Sequence, residues 1–300
     1  MQVLTRRGVA LCFLLLLVLL FAASYVAGRL GVGGETRFAL SPEKIAVIHV
    51  SGVLNDATHF LREFHTFKDS RDVKAIVVRI ESPGGTIVPA QEIYEEIRKL
   101  RGSKPVVASL GNVAASGGYY VASAAEEIVA NPGSITGSIG VLAVFQNYQE
   151  LMNKIGLKTE VMKSGEFKDL GNPMRDMTPE EMEMEQQLLE NIHQQFIRDV
   201  ALGRNRSVEE ILPLADGRVF TGEQALKEGL VDRLGNLQDS IERAAELGGI
   251  RGKPTVVYPA EKRLSLLDFL FQQIGLRVQG LFPDLGGAFR PLLLYAPFLP

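Results

Sequence analysis

The chain has 300 residues, with 32 Lys and Arg against 35 Asp and Glu and a formal charge of −3. That balance, without a basic tract, argues against nucleic acid as a partner. The single cysteine, Cys12, lies in an apolar run and excludes a disulfide framework or a thiolate metal site. The length suffices for an anchor plus one domain of about 200 residues with a sizeable core.

Gly8–Gly28 runs 21 residues without a charge. At ~1.5 Å per residue that spans a ~30 Å hydrocarbon core. Arg6 and Arg7 precede it, which places the N-terminus in the cytoplasm and the remainder across the membrane. Ala22-Ala23-Ser24 would suit signal-peptide cleavage, but the length favours an uncleaved anchor. The expected plan is an anchor over 1–30, a linker over 31–40, a catalytic domain over 41–250 and a tail over 251–300. The protein is expected in the cytoplasmic membrane, single-pass, with its domain on the extracytoplasmic side.

Lys44–Val50 and Ala75–Ile80 are short β-branched runs that read as buried strands. A Gly-rich turn at Ser82-Pro83-Gly84-Gly85 precedes a helix over Gln91–Arg101, and Pro105–Leu110 reads as the next strand. Such units build an α/β domain on a mostly parallel sheet. Val121–Ala125 reads as helix, Glu127–Ala130 and Gly140–Phe145 as strands around a loop at Asn131–Ser138, Asn147–Ile155 as helix and Thr159–Met162 as strand. Thr178, Pro179 and Glu181 write a capping box for a long helix ending at Gly203, with a solvated Glu-rich start. Thr221 with Gln224 is a second capping box, Gly229 a stop, and Gln238–Leu247 a closing helix.

Gly111–Tyr120, reading Gly-Asn-Val-Ala-Ala-Ser-Gly-Gly-Tyr-Tyr, sits at a strand-to-helix junction. Small neighbours leave the Ser116 hydroxyl room to face a groove, with the Gly117 amide beside it: a nucleophile with half an oxyanion hole, or a close-packing turn. His49, His59, His65 and His193 fall at no spacing that suits a triad or a metal, so structural roles are expected for them. A serine nucleophile without histidine needs another base, and lysine serves when burial keeps it neutral. The candidates by position are Lys163 and Lys168, between which spacing does not choose.

Five segments resemble, in order and spacing, those of the signal peptide peptidase A family of membrane-bound Ser-Lys endopeptidases. They are Ser82–Gly85, Ala114–Tyr120, Thr136–Gly140, Ser164-Gly165 with Lys168-Asp169, and Ala215–Val219. The resemblance implies a Clp protease/crotonase-like fold of repeated β-β-α units behind an N-terminal transmembrane helix. It implies Ser116 as nucleophile, Lys168 as general base, Ser138 as the residue orienting the lysine, and Gly85 and Gly117 as oxyanion donors. Lys163 is then structural or a surface residue. No metal or cofactor is implied. The expected substrates are hydrophobic peptides such as cleaved signal peptides, and the expected assembly is a homo-oligomer, an octamer, with active sites shared between neighbours.

In the tail, Leu267, Phe271, Ile274, Val278 and Leu281 predict an amphipathic helix over Ser265–Phe282, and Pro291–Pro300 reads as apolar and extended. Two other functions stay open at this point: a crotonase-like enzyme acting on acyl-coenzyme A, and a non-catalytic oligomeric membrane scaffold.

Overall fold

The structure is a computed structural model that describes residues 43–259, Val18, and the backbone of a strand at 292–294. The expected anchor (Val18 aside) and the expected helix over 265–282 lie outside the described residues. Among the described residues no helix is long and apolar enough to cross a membrane.

Strand β1 (Lys44–Ser51) leads into helix α1 (Thr58–Lys68) and then β2 (Val73–Ser82). A short β3 (Gly84–Thr86) opens into α2 (Ile87–Arg98), followed by β4 (Val106–Ala115) and α3 (Gly117–Ser123). Strands β5 (Glu127–Ala130) and β6 (Ile135–Gly137) precede the short α4 (Gln149–Lys154) and the long α5 (Pro179–Gly203). The chain continues through α6 (Val208–Ile211), β7 (Val219–Thr221), α7 (Gly222–Lys227), β8 (Arg233–Leu234), α8 (Leu237–Leu247) and β9 (Thr255–Val257). Finally β10 (Leu292–Leu294) pairs antiparallel with β3.

The main sheet runs β7-β6-β4-β2-β1-β9, with β5 and β8 branching from β4. All its pairings are parallel except β6 with β7. A parallel sheet needs cover on both faces, and β1 shows how the sequence provides it. Ile45 and Val47 point to α8 and pack with Ile241, Ala244 and Ala245. Ala46, Ile48 and Val50 point the other way, into the larger core beneath α1, α2 and α3. An uninterrupted apolar run is what a strand buried on both sides requires.

Several sequence expectations change. β4 runs five residues past Leu110, through Gly111 and Asn112, because side chains take over its ladder bonds there. The stretch expected to be a loop, Asn131–Ser138, contains β6, whereas Gly140–Phe145 and Thr159–Met162 are not strands. The latter four residues are exposed and pair with nothing in the sheet, so their β-branched side chains have no pleated surface to pack on. Helix α1 carried no capping signal, and its N-cap Ala57 makes no side-chain cap bond. The capping boxes expected at Thr178 and Thr221 form, and two unforeseen ones form at Ser207 and Asn236. The Glu-rich start of α5 is only partly solvated: Glu181 and Glu185 are 2 % and 8 % exposed.

Candidate active site

The parallel strands bring the small-residue motifs to one end of the sheet. Ser82 of β2 pairs with Ala114 of β4, and Ala115 pairs with Gly137 of β6. Ser116 and Ser138, one residue further on, therefore leave neighbouring strand ends. The crevice beyond the carboxyl ends of parallel strands is where α/β folds hold ligands.

Ser116 is fully buried and has φ 53°, ψ −118°. Positive φ outside glycine occurs among the described residues at Ser116, Ser138 and Asn205 only, so two of the three are expected site residues. Holding a side chain there costs on the order of 1–3 kcal/mol. The surrounding bonds impose it: Ser116 N–H donates to Gly137 O at 2.8 Å, and Tyr120 N–H donates to Ser116 O at 2.8 Å. Ser116 is the N-cap of α3, yet its side chain does not cap. Serine is among the favoured capping residues, so the backbone here turns the hydroxyl away from its default use. Its Oγ is one of three buried side-chain polar atoms with no hydrogen-bond partner among the described residues. An orphaned buried hydroxyl costs about 1–3 kcal/mol.

Helix α3 begins directly after Ser116 and is seated tightly against β2. A Cβ on Gly118 would lie 2.7 Å from Ser82 O, so only glycine lets the helix approach β2 this closely. Tyr119 Oη donates to Leu230 O at 2.8 Å, and Tyr120 Oη bonds the Asp199 carboxylate. Burial pushes both phenols up, further from neutrality, which keeps them anchors rather than bases. Tyr120 also stacks on Phe196 at 4.5 Å between centroids, tying α3 to α5.

On the other side stands β3. Leu54 N–H donates to Gly84 O at 2.8 Å, and Thr86 N–H donates to Leu54 O at 2.7 Å. Alternate residues of a strand send their peptide groups to opposite sides. Gly84 and Thr86 therefore face Leu54, and the Gly85 N–H and C=O face the opposite edge. A Cβ on Gly85 would lie 2.2 Å from Leu54 O, so this crossing also requires glycine. Ser82 Oγ shapes the turn, donating to Gly52 O at 2.6 Å and accepting from Gly84 N–H at 3.1 Å.

Ser138 is held by its N–H donating to Arg218 O at 2.8 Å, and Gly217 N–H donates to Ile139 O at 3.1 Å. The segments 136–140 and 215–219, far apart in sequence, thus meet at the site. His193 Nε2 donates to Ile139 O at 3.2 Å. His49 stacks on Tyr258 and His65 bonds Glu96, which are structural roles.

Lys168 lies on the exposed, irregular segment before α5, and its side chain is not bonded to Ser116 within the single chain. Ser116, Gly117, Gly85 and Ser138 are thus gathered and Lys168 is not. The segment is nevertheless pinned. Lys163 Nζ donates to Asp169 Oδ1 at 2.6 Å and Arg175 Nε to Asp169 Oδ2 at 3.0 Å. Arg175 then forks onto Glu181 at 2.7 and 2.5 Å. The Arg175 guanidinium, helped by Lys163, holds Asp169 well below the usual carboxylate range. Arg175 and the Thr178 backbone hold Glu181 at about 2. Sequence reasoning missed this tie, because residues six apart in a loop give no periodic signal.

Residues 98–251 match the family model described as peptidase family S49. The chain belongs to that family. Residues 38–134 also match the Clp protease model. A Synechocystis protein named "Putative protease" is 45% identical over 210 residues, covering 69% of this chain and 76% of its own length. The chloroplastic serine protease SPPA of Arabidopsis thaliana is 34% identical over 271 residues, 87% of this chain and 40% of that one. Among solved structures, a point mutant of the 1510-N membrane-bound stomatin-specific protease aligns with TM-score 0.50 at 17% identity, covering 74% of this chain and all of that one. That likeness shows the fold. This S49 chain is a serine peptidase of the type that includes signal peptide peptidase A and Protease 4.

Proposed function

We propose that the chain is a membrane-anchored Ser-Lys endopeptidase of the cytoplasmic membrane, with its domain on the extracytoplasmic side. The observation that carries this is Ser116 Oγ: buried, unbonded and held in a strained backbone beside the unspent amides of α3. Ser116 attacks the peptide carbonyl, and its proton passes to the neutral amine of Lys168. The Gly85 and Gly117 amides receive the oxyanion, and the Lys168 ammonium passes the proton to the departing amine as the C–N bond breaks. Lys168, neutral again, then activates water to hydrolyse the acyl-enzyme and release Ser116. Ser138 orients the amine.

Lys168 reaches Ser116 from a neighbouring subunit. Support comes from its exposed position and from apolar residues exposed on the chain that leads to it, Val144, Leu151, Ile155, Leu157, Val161 and Met162, the last 99 % exposed. A run of this kind suits burial against a second copy. The substrate is an apolar extended peptide that pairs as an antiparallel strand with the edge of β3 facing away from Leu54, taking the place of β10 there. The apolar β10, paired in that sense with Gly84–Thr86, is a segment of this chemistry on that edge. Cleaved signal peptides share it, and the anchor over 8–28 keeps the site near the bilayer.

A fluorophosphonate probe tests the reading. Labelling maps to Ser116, vanishes in Ser116→Ala and slows by ~10³-fold or more in Lys168→Ala. Labelling at another residue, or undiminished in Lys168→Ala, would contradict it.

A further inference from the structure

The two strands that carry the site run out of step just before it. β2 and β4 pair residue for residue from Ile76↔Val106 to Ile80↔Leu110, but the next pair is Ser82↔Ala114. One residue, Glu81, therefore stands opposite three: Gly111, Asn112 and Val113. Such a bulge strips amides of their ladder partners. The Glu81 side chain replaces them. Asn112 N–H donates to Oε2 at 3.0 Å and Val113 N–H to Oε1 at 3.2 Å. Carbonyls at the bulge are served as well: Arg79 Nη1 donates to Leu110 O at 3.1 Å and Ser134 Oγ to Gly111 O at 2.6 Å.

Two further facts give the carboxylate a purpose beyond filling space. At this bulge β4 changes partner, pairing with β5 through Leu110 and with β6 from Val113. Gly111 is also kept side-chain-free, chiefly for Glu81, with Ile80 O a second neighbour 3.0 Å from where a Cβ would stand. Its φ lies outside the left-handed region, but a Cβ there would fall 1.8 Å from Glu81 Oε2. Glu81 precedes the turn that leads to Gly85, and its carboxylate grips the chain three residues before Ser116.

We propose that Glu81 is a positioning residue for the peptidase reaction. Its carboxylate sets the offset between the strand leading to Gly85 and the strand leading to Ser116. It thereby fixes where the oxyanion amides stand relative to the nucleophile. This rests on the reading of Ser116 as nucleophile.

The test compares Glu81→Gln, Glu81→Ala, Gly111→Ala and the Glu81→Ala/Gly111→Ala pair in the full-length protein, using kcat and KM on an apolar fluorogenic peptide. Gln keeps the size but accepts from one amide and turns an NH2 on the other. Misplacement of reacting groups by about 1 Å costs about 10²-fold, so Glu81→Gln and Gly111→Ala are expected to lower kcat by roughly 10- to 10²-fold, with KM within about twofold. Once Glu81 is Ala, adding Gly111→Ala costs far less than it does alone, the remaining contact being with Ile80 O. A folded Glu81→Gln with wild-type kcat, or losses at 81 and 111 that multiply, would overturn the proposal. Should Glu81→Ala not fold, the Gln and Gly111→Ala variants still decide. Ser116→Ala is run in parallel. Retained activity there sinks the nucleophile reading, whereas a dead Ser116→Ala beside a fully active Glu81→Gln sinks only the positioning role.

Discussion

At Ser116 two penalties coincide, a left-handed backbone and a buried hydroxyl without a partner. Neither stabilises the fold, and both keep the oxygen ready. Removing the side chain should therefore separate stability from activity. Ser116→Gly relieves the strain and deletes the orphan oxygen, at the entropic cost of glycine, and is expected to stabilise by about 1 kcal/mol. For a domain this size that raises the melting temperature by roughly 2–4 °C, with peptidase activity lost. A lower melting temperature would show that the hydroxyl contributes to the fold. The motif around Ser116 was legible because chemistry demanded small residues there. Its strain was not legible, since φ comes from the Gly137 and Tyr120 bonds, which only the fold creates.

Elements were legible where one local rule decides them. The capping boxes at Thr178 and Thr221 are three-residue signals and form as written. β4 was cut short because Gly111-Asn112 reads as a turn, and the groups that carry the strand through it, Glu81, Arg79 and Ser134, sit elsewhere in the sequence. β6 was hidden in a Gly/Ser/Thr stretch because its stability comes from neighbours on both sides, β4 and β7. Helix α5 supports α3 through Phe196, which is fully buried against Tyr120. Phe196→Ala is expected to cost about 3–5 kcal/mol, read by chemical denaturation; a loss below ~1 kcal/mol would show that the site's helix does not lean on α5.

The segment carrying Lys168 gives a pH test. Arg175 holds Glu181 at about 2 against an ordinary 4.5. A carboxylate with a lowered value stabilises above its unfolded-state value and loses that contribution as pH falls through the folded one. The tie from Asp169 through Arg175 to Glu181 is therefore intact at neutral pH and loosens between about 4.5 and 2. Limited proteolysis within 163–178 should appear over that window in the wild type and already at neutral pH in Arg175→Met. Equal protection of both proteins at every pH would mean that the segment is held by something else.

For the whole molecule, the single chain gathers Ser116, Gly117, Gly85 and Ser138 at one end of the sheet and leaves Lys168 on an exposed segment. The motifs that carry these five residues are legible in the sequence, but this division is not, because the distance between strand ends and an exposed loop is a property of the assembled sheet. The proposed completion of the site by a second copy would bury the exposed apolar residues that precede Lys168 in the chain. Mixing two dead proteins, Ser116→Ala and Lys168→Ala, tests this most directly. Where each site draws its serine and its lysine from different subunits, random 1:1 co-assembly leaves one interface in four with both side chains intact, and about a quarter of wild-type activity should return. Mixed oligomers that assemble yet stay inactive would contradict a site shared between subunits.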